Sequence, residues 1–337
     1  MNILVSGATG FIGSHTCVSL LENGHKVIAF DNFYNSKEDV INSINKIVGN
    51  DVFEGFKFYN ADMTNPEDME KIYNENSIDC VIHFAGYKAV GESVQMPLNY
   101  YYNNIYGTLC LLDSMKKHNV KRLIFSSSAT VYGSPEALPI KESFSLSATN
   151  PYGRTKLMIE EILRDLYVSD SEWSIVLLRY FNPVGAHKSG LLCEDPKGIP
   201  NNLMPRLLDV LFGKTEYITV FGNDYNTKDG TGVRDYIHVW DLAYGHVKAI
   251  DYAMNNKGAE AINLGTGCGY SVMDLIKSLE KASGKEIPFK ICPRRAGDID
   301  ACYADPSKAS ELLNWSATLS VEDMCLDAYN ARKNLEE

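Results

Sequence analysis

The eight cysteines are scattered, and no two of them form a CxxC pair. The seven histidines form no cluster with metal-ligand spacing; His238 and His246 lie eight apart. No bound metal is therefore expected. Long apolar runs are missing too. No stretch approaches the ~18–20 apolar residues of a membrane-crossing helix, so none is expected. Positive charge is in short supply, and the chain carries a formal net charge of −11. That balance disfavours nucleic acid or an anionic membrane as partner, though it leaves room for a local basic pocket around a phosphorylated ligand. The opening residues, Met1 to Gly7, have no basic flank and too short an apolar run for a signal peptide. Reduced thiols in a cytoplasm are the expectation that follows. No internal repeat or low-complexity segment is visible.

With 45% apolar and 22% charged residues over 337 positions, the composition is that of a globular protein with a sizeable core. The length suggests about two domains. Short apolar runs at Ile3–Ser6, Val27–Asp31, Phe56–Asn60, Cys80–Ala85, Leu123–Ser127 and Ile175–Leu178 alternate with helical patterns. The runs are near-continuous, the mark of strands buried on both faces. The helical patterns fall at His15–Asn23, Pro66–Asn76, Leu98–His118 and Tyr152–Val168. Such alternation predicts an α/β fold with a doubly wound parallel sheet. Beyond Arg179 the pattern loosens, with a helix near Leu203–Phe212 and a strand–helix passage at Asp235–Met254. A first domain over residues 1–182, joined by a returning segment about 236–265, and a smaller mixed α/β second domain over 183–337 are expected.

Gly7-Ala8-Thr9-Gly10-Phe11-Ile12-Gly13 follows the first strand and opens the first helix. The first glycine allows a tight turn, the second lets backbone amides approach a pyrophosphate, and the third lets helix pack on strand. The helix start adds free N–H groups and a positive dipole end. Asp31 ends the second strand, 18 residues past Gly13. A carboxylate there suits a ribose diol and repels a 2′-phosphate, so NAD is favoured over NADP. The first domain is thus read as a Rossmann-type NAD-binding domain.

The GxxGxxG spacing resembles the extended short-chain dehydrogenase/reductase family. Tyr152-Gly153-Arg154-Thr155-Lys156 matches that family's YxxxK motif. Four residues apart on a helix, the two side chains share a face. A tyrosine is a poor base near neutral pH; a nearby ammonium and a positive nicotinamide favour its phenolate. Such a group can take the proton of a sugar hydroxyl while hydride leaves the same carbon. Ser126-Ser127-Ser128 ends the fifth strand, where ligands meet such sheets. Ser128 matches the family's catalytic hydroxyl, whereas Ser127 reads equally well as structural. The resemblance implies that Phe11, Ile12, Asn32, Asn35 and Ser36 also border the cofactor. It adds Asp62 at the adenine, with Met63, then Phe84, Ala85 and Gly86, then Lys88, Asn103, Ser126 and Tyr180. Lys156 would hydrogen-bond the nicotinamide ribose.

Longer strings narrow the match. His83-Phe84-Ala85-Gly86, Lys88 to Ser93, Ser126 to Gly133, Arg179 to Ala186, Gly198 to Pro205 and Gly232 to Val239 resemble the UDP-glucose 4-epimerase family over essentially the full length. Dehydratases of the wider family place Asp-Glu after the catalytic hydroxyl residue; Ala129 and Thr130 stand there instead, which disfavours loss of water. The resemblance implies a redox-neutral inversion at C4 of a UDP-hexose through a 4-keto sugar with bound NAD, in galactose metabolism. Ser128, Tyr152 and Lys88 would meet the hexose. Asn182, Asn202, Arg234, Arg295 and Asp298 would hold UDP, with Thr219, Val220 and Phe221 at the uracil, and Phe181, Leu203 and Tyr236 would also border the substrate. Cys302 stands where glucose/galactose-restricted members carry tyrosine, which implies turnover of N-acetylhexosamine substrates as well. A homodimer through the Leu98–His118 and Tyr152–Val168 helices is the expected assembly. A UDP-glucuronate epimerase or decarboxylase, or a catalytically silent NAD-binding relative, remain the competing readings.

Overall fold

Six of the apolar runs form parallel strands, and a seventh joins them from far along the chain. The computed structural model describes residues 1–198, 200–295 and 298–337. Ile199, which belongs to one of the motif strings above, and Ala296 and Gly297 lie outside the described residues. The sheet strands are β1 (Asn2–Ser6), β2 (Lys26–Asp31), β3 (Phe56–Asn60), β4 (Cys80–His83), β5 (Arg122–Ser126) and β6 (Ser174–Tyr180). Then follow β7 (Asn182–Val184), β8 (Ile218–Phe221), β9 (Val233–Arg234), β10 (Tyr236–His238), β11 (Gly258–Leu264), β12 (Tyr270–Ser271), β13 (Phe289–Cys292) and β14 (Ala301–Cys302). The main sheet has the order β11-β6-β5-β4-β1-β2-β3. Its connections reverse direction between β1 and β4, and a doubly wound sheet opens a crevice at that reversal.

Alternate strand residues feed two separate cores. Ile3, Val5, Val27, Ile82, Ile124 and Val176 pack against the Phe11–Glu22 and Val239–Asn255 helices. Leu4, Ile28, Val81, Leu123 and Ile175 pack on the other face against Met69, Leu111 and Ile159. Strand periodicity of two sends successive side chains to opposite faces, so both must be apolar. β3 departs from the expectation of full burial. It is the sheet's edge, and none of its five residues is fully covered.

The expected Leu98–His118 helix is broken into pieces: Pro97–Tyr100 is α-helical, Tyr101–Tyr106 is a π-helical turn, and Gly107–Lys117 is α-helical again. The wide turn places Asn103 and Asn104 inward, both buried. Residues beyond β6 build a third core of Met204, Leu207, Leu275, Leu279 and Met324. Around it lie three small sheets: β10-β7, β12-β9-β14 and β13-β8. Among the described residues no helix is long and apolar enough to cross a membrane, no group of His, Cys, Asp and Glu could hold a metal ion, and the eight cysteines are free.

Candidate active site

The glycine turn fits a dinucleotide on steric grounds. Gly7 has φ +67°, a left-handed conformation that favours glycine, and a Cβ there would lie 2.8 Å from the Ala85 nitrogen. A Cβ on Gly13 would fall 2.1 Å from the Gly7 carbonyl oxygen, so helix and turn touch backbone to backbone. No side chain caps the Phe11–Glu22 helix at Gly10. Its first amides are therefore left for a ligand. Asp31, the carboxylate expected at a ribose, makes three hydrogen bonds within the protein. One carboxylate oxygen accepts from the Thr9 amide at 3.1 Å; the other accepts from the Phe33 amide at 2.9 Å and the Ser36 hydroxyl at 3.2 Å. It thereby fastens the glycine turn to the loop that carries Asn32 and Asn35.

Asp62 accepts from Asn32 Nδ2 at 2.9 Å and from the Thr64 amide and hydroxyl. Partial burial would raise this carboxyl, but the Thr64 and Asn32 hydrogen bonds outweigh it and hold it below its ordinary value. Met63 packs on Gly107, where a Cβ would come within 2.7 Å of it. The Phe84 and Ala85 amides both donate to Ser6 Oγ at 3.1 Å, which fixes the chain as it leaves β4. Asn104 of the π turn accepts from the Tyr87 amide at 2.8 Å and donates to the Tyr87 carbonyl and Thr155 Oγ1, each at 3.0 Å. Asn103 Nδ2 donates to Asn104 Oδ1 at 2.9 Å. Sequence reasoning missed Asn104 because the π turn interrupts a pattern that reads as one helix.

Tyr152 occupies the first turn of the Pro151–Ser169 helix. Asn150 caps that helix by accepting from the Gly153 amide at 2.9 Å, and Pro151 takes the first helical place, where its missing N–H costs nothing. Tyr152, Lys156 and Ser128 are all buried. Lys156 Nζ donates to the Ser126 carbonyl at 2.7 Å and lies 4.8 Å from the Phe125 ring centre. Burial lowers its ammonium to about 8, against an opposing pull from Glu160. Burial raises the Tyr152 phenol, with the Ser128 hydroxyl partly offsetting it. The ammonium that would favour the phenolate is engaged by the Ser126 carbonyl. Ser126 Oγ donates to the Tyr180 hydroxyl at 3.0 Å. Ser128 Oγ accepts from the Thr130 amide and hydroxyl, and neither Ala129 nor Thr130 supplies an acid beside it.

On the opposite side, Arg234, Arg295 and Asp298 converge. Asp298 Oδ2 accepts from Arg295 Nε at 2.9 Å, and Asp298 Oδ1 lies 3.8 Å from Arg234 Nη2. Arg295 lies over the Phe221 ring at 5.0 Å.

Residues 4–328 match the family model described as GDP-mannose 4,6 dehydratase. UDP-glucose 4-epimerase of Bacillus subtilis (strain 168) is 57% identical over 329 residues, covering 98% of this chain and 96% of that one. The chain belongs to the UDP-glucose 4-epimerase family. The crystal structure of UDP-glucose 4-epimerase from Bifidobacterium longum in complex with NAD+ and UDP superposes with a TM-score of 0.95 at 54% identity, covering 99% of this chain and 98% of the other. The UDP-Glc/GlcNAc 4-epimerase from Campylobacter jejuni superposes with a TM-score of 0.86 at 34% identity, covering 99% of each.

Within this epimerase fold the remaining expected residues separate. Thr219 and Phe221 share one face of β8, whereas Val220 points into the third core and is 1% exposed. The strand's alternation therefore takes the Val220 side chain away from the face of its neighbours. Tyr236 is buried in the same core. Asn182 is exposed on β7, and Leu203 opens the Leu203–Leu211 helix just after Asn202. Cys302 packs beside Phe181, Val131, Tyr132 and Ile140, and is paired with Arg234 across β14 and β9. Val131 and Tyr132 belong to the 3₁₀ turn that Ser128 caps, so this short apolar cluster joins the two sides of the site. Lys88 and Asn202 meet through a residue the sequence did not flag. Glu194 Oε1 accepts from Lys88 Nζ at 2.9 Å and from Asn202 Nδ2 at 2.6 Å. A lone loop carboxylate has no periodicity or motif that would disclose it.

Proposed function

We propose that this chain interconverts UDP-galactose and UDP-glucose by inverting C4 of the hexose, with NAD held as a bound cofactor. The carrying observation is the buried catalytic group: Tyr152 and Lys156 on one helix face, the Lys156 ammonium on the Ser126 carbonyl, and Ser128 two residues on. The glycine turn, Asp31 and Asp62 would hold NAD on one side. Arg234, Arg295 and Asp298 would hold UDP on the other, the guanidinium groups serving the diphosphate. Bound NAD supplies reversible hydride transfer at C4.

Tyr152 takes the C4 hydroxyl proton as general base and returns it as general acid when the opposite face of the sugar is reduced. Its phenol is raised by burial in the free protein. Lys156 supplies the positive charge that favours the phenolate, and its ammonium is within one helical turn. Ser128 hydrogen-bonds the reacting oxygen. Because the sugar is oxidised and then reduced, no second substrate is needed.

Cys302 sits in the apolar cluster beside Phe181, so a larger C2 substituent has room that a tyrosine would fill. UDP-GalNAc and UDP-GlcNAc are therefore proposed as a second substrate pair. The same reading includes a cytoplasmic site of action, consistent with eight free thiols. It also includes a homodimer. Leu98, Tyr102, Tyr106 and Leu109 are exposed apolar residues along the broken helix, Val94 is exposed on the Val90–Gln95 helix just before it, and Met158 is exposed on the Pro151–Ser169 helix. A contiguous apolar face of that kind marks an interface.

The deciding experiment incubates the purified protein with UDP-galactose, and separately with UDP-GalNAc, without added NAD. Conversion of both is expected on product separation. No conversion of UDP-galactose by NAD-loaded protein would overturn the reading; conversion of UDP-galactose alone would remove the N-acetylhexosamine extension.

A further inference from the structure

The middle serine of Ser126-Ser127-Ser128 has no place in the chemistry above, yet it is fully buried. Its hydroxyl donates to Glu160 Oε1 at 2.5 Å. Glu160 lies one turn past Lys156 on the same helix and is also fully buried. Its carboxylate forms a bidentate pair with Arg179 of β6, at 2.9 Å from Nε and 2.6 Å from Nη2. Arg179 is 1% exposed; its third nitrogen donates to the Tyr132 hydroxyl at 3.1 Å and the Glu142 carbonyl at 3.3 Å.

A buried ion pair is a weak source of stability, since well-packed apolar residues serve as well. Its placement is what distinguishes it. The Ser127 amide donates to the Phe125 carbonyl at 3.0 Å, so the backbone bends sharply at Ser126 as β5 ends. That bend aims the Ser126 carbonyl at Lys156 and turns Ser128 outward to cap its 3₁₀ turn. Fixing the Ser127 hydroxyl fixes the bend from its middle. We infer that Glu160, clamped by Arg179, is a positioning residue: through Ser127 it sets the Ser126 carbonyl and the Ser128 hydroxyl against Tyr152 and Lys156. The inference rests on the catalytic reading above and assigns the supporting groups it needs.

Glu160 also acts on Lys156 through charge, and removing that charge favours the neutral amine. The charged and titratable groups around this centre are Glu160 and Tyr152 on the same helix, Arg179 and Tyr180 on β6, Tyr132 of the 3₁₀ turn, His83 on β4, and Arg164 at 4.0 Å from Glu160. Against the opposing effect of burial, Arg179 is raised by its pairing with Glu160 and remains charged, and buried His83 is lowered to about 3, so it stays neutral in the working range.

Three variants test this. Ser127→Ala removes one hydroxyl and leaves the Glu160–Arg179 pair intact. Glu160→Gln removes the charge, and Glu160→Gln with Arg179→Met removes both charges where the single variant fails to fold. Each is compared with wild type for melting temperature, retained NAD, kcat, KM and the pH profile of kcat. Ser127→Ala should lower kcat about 10–100-fold, the scale on which small misplacements of a reacting group act. Its KM, NAD content and pH profile should stay unchanged. The Glu160 variants should lower kcat similarly and also move the alkaline limb to lower pH, because Lys156 then loses its proton sooner. Ser127→Ala with wild-type kcat across the pH range would overturn the inference, as would a folded, NAD-loaded Glu160 variant with unshifted limb and wild-type kcat. Inactive wild-type protein would instead refute the underlying function.

Discussion

Replacing Gly10 and Gly13 by alanine, one at a time, should separate cofactor binding from folding. The two glycines are three residues apart, but their surroundings differ. At Gly13 an added Cβ meets the Gly7 carbonyl oxygen at 2.1 Å, the Gly7 carbonyl carbon at 3.0 Å and the Ala8 Cα at 3.1 Å. All three are backbone atoms, so relief requires moving the helix away from the turn. Overpacking of this kind costs about 1–3 kcal/mol, and a rigid neighbour places it at the upper end. At about 2–4 °C per kcal/mol, Gly13→Ala should melt roughly 5–10 °C below wild type. At Gly10 the added carbon meets only the Gly7 carbonyl, at 3.3 Å, and its φ of −70° suits alanine. The cost there is about 1 kcal/mol as a poorer helix cap. The new methyl group stands instead where the cofactor's pyrophosphate must approach the amides. A lost charge-assisted hydrogen bond is worth about 1.5–3 kcal/mol, or roughly 10–100-fold in NAD affinity. The assay is NAD content after gel filtration, beside thermal melting by circular dichroism. Gly10→Ala retaining wild-type NAD would refute the phosphate-cradle reasoning, and Gly13→Ala melting with wild type would refute the packing argument.

Tyr152→Phe should lower UDP-galactose turnover by about 10²–10⁴-fold while UDP binding by calorimetry is retained; turnover within a few fold of wild type would rule out the base role. Cys302→Tyr should abolish measurable UDP-GalNAc conversion and leave UDP-galactose conversion within a few fold, read by product chromatography; equal loss of both would sink the specificity assignment. Leu98→Glu with Tyr102→Glu should give monomers in sedimentation velocity, since Leu98 is 79% and Tyr102 62% exposed; an undisturbed dimer would place the interface elsewhere. Acid should destabilise the fold through His15, whose burial lowers it to about 3. The unfolded chain takes up that proton below its ordinary value of 6.5 while the folded protein does not, so stability is present above about 6.5 and falls with pH toward 3. From pH 7 to pH 5 the loss is about 2 kcal/mol, and His15→Gln should lack that share in urea titrations at the two pH values.

The strands of the main sheet were legible because both faces are buried, which leaves unbroken apolar runs such as Ile175–Leu178. β3 read the same way but lies at the edge, and a short run does not tell an edge from a centre. The Leu98–His118 pattern could not reveal its π turn, since an extra residue in a turn leaves the apolar spacing almost intact. In the second half the Val272–Ser283 and Val321–Glu336 helices went unmarked, although each starts with a capping box, Ser271 with Asp274 and Ser320 with Asp323. The glycine turn and the Tyr152–Lys156 pair were readable as local strings. Glu194 and Glu160 were not, because each acts through partners distant in sequence.

β6 draws its outer neighbour from β11, which begins at Gly258, long after β6 has ended at Tyr180. During synthesis the Ser174–Tyr180 strand, buried along nearly its whole length in the finished protein, must wait with one row of backbone groups unpaired. An apolar strand in that condition is a template for pairing with another nascent chain. Expression of residues 1–182 by themselves would make that condition permanent. The glycine turn and the catalytic helix would both be present in such a fragment, but it would aggregate through the β6 edge, and co-expressed residues 183–337 would have to supply β11 in trans to rescue it.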